Sequence, residues 1–147
     1  MRCQKQLINQ ESAVRWAPAA AVMLLIFVHS AMPADLSREE SGFVVNMVIK
    51  LFPIPLSTEM LTFAIRKTAH FIEYCILGLC LRRGAKTGIC SFLAGAAYAV
   101  TDEIHQYFVP GRSCEIRDIC IDAAGVLAGV VLMGLIKKIT ARIRPKM

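Results

Sequence analysis

Arg66, Lys67, His70, Glu73 and Tyr74 fall within nine residues of one apolar stretch. A helix turns about 100° per residue, so these five share an arc of roughly 120°. Tyr98, Asp102, Glu103, His105 and Gln106 share an arc of roughly 160° on a second stretch. Glu115, Asp118 and Asp122, with Gly125 and Gly129, share roughly 80° on a third. Arg112 stands between the last two groups. The cations suit phosphate or carboxylate, Arg112 through a two-pronged grip. The carboxylates suit the hydroxyls of a sugar or an ammonium group. The candidate ligand-binding set is therefore Arg66, Lys67, His70, Glu73, Tyr74, Asp102, Glu103, His105, Gln106, Arg112, Asp118 and Asp122.

Other chemistries use the same residues. Carboxylates beside His70 and His105 can do acid–base work. The two histidines and a carboxylate can hold a metal with an open position. No HExxH run, CxxC pair or zinc spacing is present, so no metal or cofactor is expected and no catalytic residue is assigned. Ser113 and Cys114 are weak candidate nucleophiles. A proton relay or transporter needs polar groups through the full depth of the helices. A purely structural role pairs the acids with Arg112, Arg117 and the histidines, but leaves acids in excess.

The elements that carry these groups are apolar. The chain has 147 residues, 56% of them hydrophobic and 19% charged. Soluble domains run nearer about 45–50% and about 25%. A bilayer core takes roughly 20 mostly apolar helical residues. Four stretches approach this, at about 16–32, 61–81, 88–109 and 116–136. The last three carry the polar stripes. The first, with a basic start, also resembles a signal sequence, but His29-Ser30-Ala31 is a poor cleavage site and an uncleaved span is expected.

Charge geography sets the expected topology. With the amino terminus inside, the inner segments hold eleven of the seventeen cations and, of the eleven acids, Glu11 alone. Short flanks rich in Lys and Arg stay cytoplasmic. The expected fold is all-α: one domain over residues 1–147, a bundle of about four membrane helices with both termini inside. The +6 charge is then topological, with membrane lipids as partners and no nucleic acid. Oligomeric state is not readable.

Under this topology Asp102 and Asp122 each lie about 10 Å below the outer interface. His29, His70 and His105 also fall in the outer halves, and the inner halves are nearly free of charge. One polar pocket opening outward is expected. Gly125-x-x-x-Gly129 suits close helix approach. The outer connection holds a solvated stretch, Asp35 to Glu40, and then a short helix. Val44, Met47, Val48 and Leu51 recur on one face of it, fit for the membrane surface or for the top of the bundle. Pro53 and Pro55 stop that helix, Ser57 or Thr58 caps the next, and Pro110-Gly111 makes a tight outer turn. Cys75, Cys80 and Cys90 read as packing residues, Trp16 and Tyr107 as interface aromatics, and His29 as a lone interfacial residue.

Arg66-Lys67-Thr68-Ala69-His70-Phe71-Ile72-Glu73-Tyr74 resembles the first signature of the VanZ-like family of bacterial membrane proteins. Asp102-Glu103-Ile104-His105-Gln106-Tyr107-Phe108-Val109-Pro110-Gly111-Arg112, followed by Asp118 and Asp122-x-x-Gly125, resembles the second. His29-Ser30 and the acidic stretch after it resemble a weaker first block. The similarity runs from about 26 to 129. It implies a multi-pass protein of the cell membrane, tied to the cell envelope and to glycopeptide (teicoplanin) resistance, and no named reaction. Candidate ligands for the polar pocket are a lipid headgroup, a lipid-linked wall precursor or a glycopeptide. Asp102-Glu103-Ile104-His105 also matches a helicase box, but no phosphate-binding Gly-Lys-Ser/Thr loop accompanies it.

Overall fold

A computed structural model describes residues 2–52 and 56–143, and these form five α-helices. They are α1 (Arg2–Ser30), α2 (Ala34–Leu51), α3 (Thr58–Gly84), α4 (Gly88–Tyr107) and α5 (Ile116–Ile143). Side-chain caps set two of the starts. The Ser57 hydroxyl accepts from Met60 N–H at 3.2 Å, and the Thr87 hydroxyl accepts from Cys90 N–H at 3.3 Å. Each satisfies an amide that the first helical turn leaves without a partner. Gly111, at φ 75°, makes the turn between α4 and α5. Pro53 and Pro55 lie outside the described residues.

Helix α2 is longer than the sequence suggests. It begins directly after Pro33 and takes in Asp35 to Glu40, expected as a solvated stretch. A proline just before a helix and an acid in its first turn both favour this start. Ala34 N–H also donates to Pro110 O at 3.2 Å, which pins the start to the α4–α5 turn. Of the two expected placements, packing on the bundle occurs, but through another face than that of Val44, Met47, Val48 and Leu51. Ala34, Ser37, Ser41 and Val45 are buried where α2 packs on α3, while Phe43, Val44, Met47 and Leu51 face outward.

Helix α3 touches all four others. Its contacts with α5 advance together along both chains: Lys67 with Asp118, His70 with Asp122, Cys75 with Gly129, Arg82 with Lys137. The two helices therefore run parallel, and α4 returns antiparallel between them. Glycine permits the close approach. Gly125 lies against the backbone of Phe71, Gly129 against that of Cys75, and Gly78 against that of Val126. The GxxxG pattern thus marks a real helix seam.

This arrangement gathers the end of α1, the first halves of α3 and α5 and the end of α4 at one polar end. Arg82, Arg83, Lys86, Lys137 and Lys138 collect at the other. There the Trp16 ring packs on Gly84, and Lys137 donates to Arg82 O at 2.6 Å. The apolar core of Ile26, Tyr74, Leu77, Ala99 and Val126 is thin. Leu24, Leu25, Ile72, Ile76, Leu93, Leu132 and Leu135 are exposed, whereas Asp102, Glu103, Gln106 and Asp122 are buried. Among the described residues two helices are long and apolar enough to cross a membrane, α1 over Ala13–Ser30 and α5. Helices α3 and α4 carry the charges that interrupt their apolar runs.

A methyl group at position 129 would strike the Cys75 carbonyl, which no rotamer change can move. Gly129→Ala is therefore expected to lower stability by about 1–3 kcal/mol in detergent unfolding. Gly134→Ala, with nothing near its Cβ position, is expected to be neutral or stabilising by up to about 1 kcal/mol.

Candidate functional site

The inner part of the polar end is a buried hydrogen-bond network. Asp102 Oδ2 accepts from the Ser30 hydroxyl at 2.8 Å, the Tyr74 hydroxyl at 3.1 Å and Gln106 Nε2 at 3.1 Å. This one oxygen ties α1, α3 and α4 together. His29 Nδ1 is hydrogen-bonded to Glu73 Oε1 at 2.6 Å, joining α1 to α3 a second time. The His29 and His70 rings stack with centroids 6.1 Å apart and planes 13° apart. Behind His70, its Nδ1 faces Asp122 Oδ1 at 3.9 Å. Lys67 donates to Asp118, joining α3 to α5. Glu103 Oε1 accepts from Glu115 N–H at 2.7 Å, which fixes the start of α5.

The network is not saturated. Both oxygens of Asp122, one each of Glu73, Asp102, Glu103 and Asp118, and His70 Nδ1 are buried without a protein partner. Unpaired buried acceptors are costly. They offer lone pairs to any donor that enters. No three His, Cys, Asp or Glu side chains gather as a metal-ligand set among the described residues.

The outer part is cationic. A cleft of about 230 Å³ is lined by Arg38, Arg66, Lys67, Arg112 and Arg117, with Glu115, Asp118, Gln106, Ser113 and Phe63. Asp118 pairs with Lys67, and Glu115 pairs with Arg117 at 2.7 Å. Glu115 is held below its usual carboxylate range by the Ser113 hydroxyl and by Arg117. Arg112 donates through Nε to Met32 O at 2.9 Å and through an amino group to Gln106 Oε1 at 3.1 Å. These bonds fasten the 108–115 turn to the end of α1 and use no negative charge. Burial, then the nearby Arg66, lowers the Arg112 pKa. Among the described residues no carboxylate lies within ion-pair distance of Arg38, Arg66 or Arg112. Three guanidinium groups thus face one small cleft without a direct ion pair, the two carboxylates of its lining, Asp118 and Glu115, being paired with Lys67 and Arg117.

Arg66 also lines a second cleft, of about 160 Å³, with His29, Ser37, Glu40, Ser41 and His70. Its roof is α2. The expected single pocket is therefore two clefts meeting at Arg66, over a buried floor.

Of the twelve candidate residues, Arg66, Lys67, Gln106, Arg112 and Asp118 line the cationic cleft and His70 the second. Glu73, Tyr74, Asp102, Glu103 and Asp122 line neither; they stand behind the clefts and hold the helices that form the walls. His105 is not brought in, because its ring stacks on Phe27 at 4.4 Å along the α1–α4 seam. Ser113 donates to Glu115, and Cys114 and Cys120 are free and exposed, so neither the nucleophile nor a disulfide has geometric support. Sequence reasoning missed Arg38, Ser37 and Ser41, which reach the clefts only because α2 starts early. It also set His29 aside as lone, although its depth matches that of His70.

Tyr74→Phe removes one donor from a fully buried carboxylate and leaves the ring packed. The expected loss is about 1–3 kcal/mol in detergent unfolding, with helix content unchanged by circular dichroism.

A scan against protein families matches residues 16–137 to the family described as VanZ/LLP1. No curated protein and no solved structure matches the chain.

Proposed function

The chain belongs to the VanZ/LLP1 family, and from that premise we propose that it is a multi-pass protein of the cell membrane whose outward-facing clefts bind the anionic group of an envelope ligand. In this reading α1, α3, α4 and α5 all cross the bilayer and α2 lies at its outer surface. The bundle's inside-out character supports it. Exposed leucine and isoleucine surround buried Asp102, Glu103 and Asp122, a pattern suited to hydrocarbon and costly in water. The cluster of Arg82, Arg83, Lys86, Lys137 and Lys138 at the opposite end supports both termini lying inside.

The observation that carries the binding reading is the set of guanidinium groups of Arg38, Arg66 and Arg112 in one cleft, none of them in an ion pair among the described residues. Arginine holds phosphate and carboxylate through paired, charge-assisted hydrogen bonds. The cleft, at about 230 Å³, is smaller than the pockets of about 300–1,000 Å³ that enclose drug-sized molecules. It fits a headgroup or the phosphate of a wall precursor better than a whole glycopeptide. A role in teicoplanin resistance would then act through that envelope ligand.

A second reading, acid–base chemistry on a lipid-linked substrate, is favoured by one feature. His29 and His70 both line a cleft, and each turns Nδ1 toward a carboxylate, Glu73 and Asp122. Turnover of a lipid-linked phosphate by the purified protein, abolished by His70→Gln, is the outcome this reading requires.

Two measurements test the main proposal. Native mass spectrometry from micelles mixing phosphatidylglycerol with phosphatidylcholine is expected to retain the anionic lipid on the wild type. Arg66→Gln is expected to reduce that retention about tenfold or more, as for loss of a charge-assisted bond. Equal retention of both lipids, or no effect of the substitution, refutes the binding site. For topology, the native thiols serve as probes, since Cys90 and Cys114 are both exposed and lie at opposite ends of the bundle. A membrane-impermeant thiol reagent is expected to label intact cells at Cys114, with loss of that label in Cys114→Ser, and to leave Cys90 unlabelled. The reverse pattern would turn the clefts toward the cytoplasm.

A further inference from the structure

The cationic cleft does not end in a blind wall. It meets the second cleft at Arg66, and the second cleft in turn shares His29 and Glu40 with a third cavity, an open groove of about 450 Å³. That groove is lined by Ala21, Leu24, Leu25 and Val28 of α1 and by Met32 just beyond its end. Along this one helix face the character changes once, from aliphatic at Leu25 and Val28 to polar at His29. Ala21 to His29 spans about 12 Å of helix. Leu24, Leu25 and Val28 are 60% exposed or more, so the groove stands open along the surface that the bundle turns outward. The three cavities thus follow one another through shared lining residues: aliphatic groove, then histidines and serine hydroxyls, then three arginines that make no ion pair among the described residues.

We infer that the ligand is an amphiphile carrying a phosphate, its hydrocarbon chain lying along α1 in the groove and its phosphate held at Arg66 by the arginine cleft. This rests on the reading of that cleft as an anion site and adds what is attached to the anion. The charge sequence favours one occupant over two. A free phosphate leaves the groove unused, and an uncharged lipid brings no anion to Arg38, Arg66 and Arg112, none of which is in an ion pair among the described residues. A chain-bearing phosphate satisfies both at once. Its linking atoms, ester or hydroxyl, fall at the level of His29 and His70. Helix α2, bringing Glu40 to the head of the groove and Arg38 to the cationic cleft, lies over the joint between chain and head.

The test uses the full chain in detergent and three probes: lysophosphatidylglycerol, farnesyl phosphate and glycerol 3-phosphate. Wild type is expected to bind at least one chain-bearing probe about tenfold or more tightly than glycerol 3-phosphate, since burial of a few methylenes is enough for that ratio. Whichever chain-bearing probe wins identifies the source, a glycerophospholipid or a prenyl phosphate. Val28→Trp fills the groove from an exposed position and is expected to abolish the preference while glycerol 3-phosphate binds as before. Leu132→Trp, exposed on α5 and not among the groove residues, is expected to leave the preference intact. Equal affinity for all three probes, or a preference that survives Val28→Trp, overturns the inference and leaves the anion site standing. Failure of Arg66→Gln to weaken any probe overturns the anion site itself.

Discussion

A carboxylate buried among helices must find donors, and Asp102 finds them on three helices. Ser30, Tyr74 and Gln106 converge on one of its oxygens at 2.8–3.1 Å. In surroundings this apolar, the alternative to those bonds is a buried unpaired acceptor, which costs more than the bonds contribute. The positions of α1 and α4 against α3 follow from that requirement. The remaining helix is placed by a different force. Gly125 and Gly129 let the α5 backbone touch that of α3, so dispersion at short range holds the seam. Polar focus and glycine seam meet in α3, the one helix in contact with all the others.

The layered charge follows from this frame. The polar stripes hold more acids than cations, and Glu73, Asp102, Glu103 and Asp122 do lie together, but as a floor. The clefts above are lined by arginines carried on separate segments: Arg38 on α2, Arg66 on α3 and Arg112 in the turn before α5. A cation layer over an acid layer keeps the region near neutrality while leaving each face strongly polar. The side open to a ligand is the positive one.

Much of the fold was legible because long helices write their limits in hydropathy. The four long helices, the Ser57 cap, the Gly111 turn and the glycine seam all follow from local sequence. The start of α2 was not legible, because Asp35 to Glu40 reads as solvated until Pro33 and the bond from Ala34 to Pro110 are seen. Arg38, Ser37 and Ser41 were hidden for the same reason. Helical phase placed His105 on the polar stripe, but an arc of roughly 160° is wide enough to reach two neighbours, and Phe27 supplies the nearer one. His29 was underrated because its partner, Glu73, is 44 residues away and only packing pairs them.

The bonds at the end of α1 bear on how the protein is made. His29 waits for Glu73, Ser30 for Asp102 and the Met32 carbonyl for Arg112, at separations of 44, 72 and 80 residues. A ribosome delivers these partners in order, so the first helix is made with its polar tip incomplete. It acquires its last contact only when the final hairpin emerges. The same arginine that borders the cationic cleft thus makes the last of these three contacts, and the polar end closes only once the turn before α5 is made.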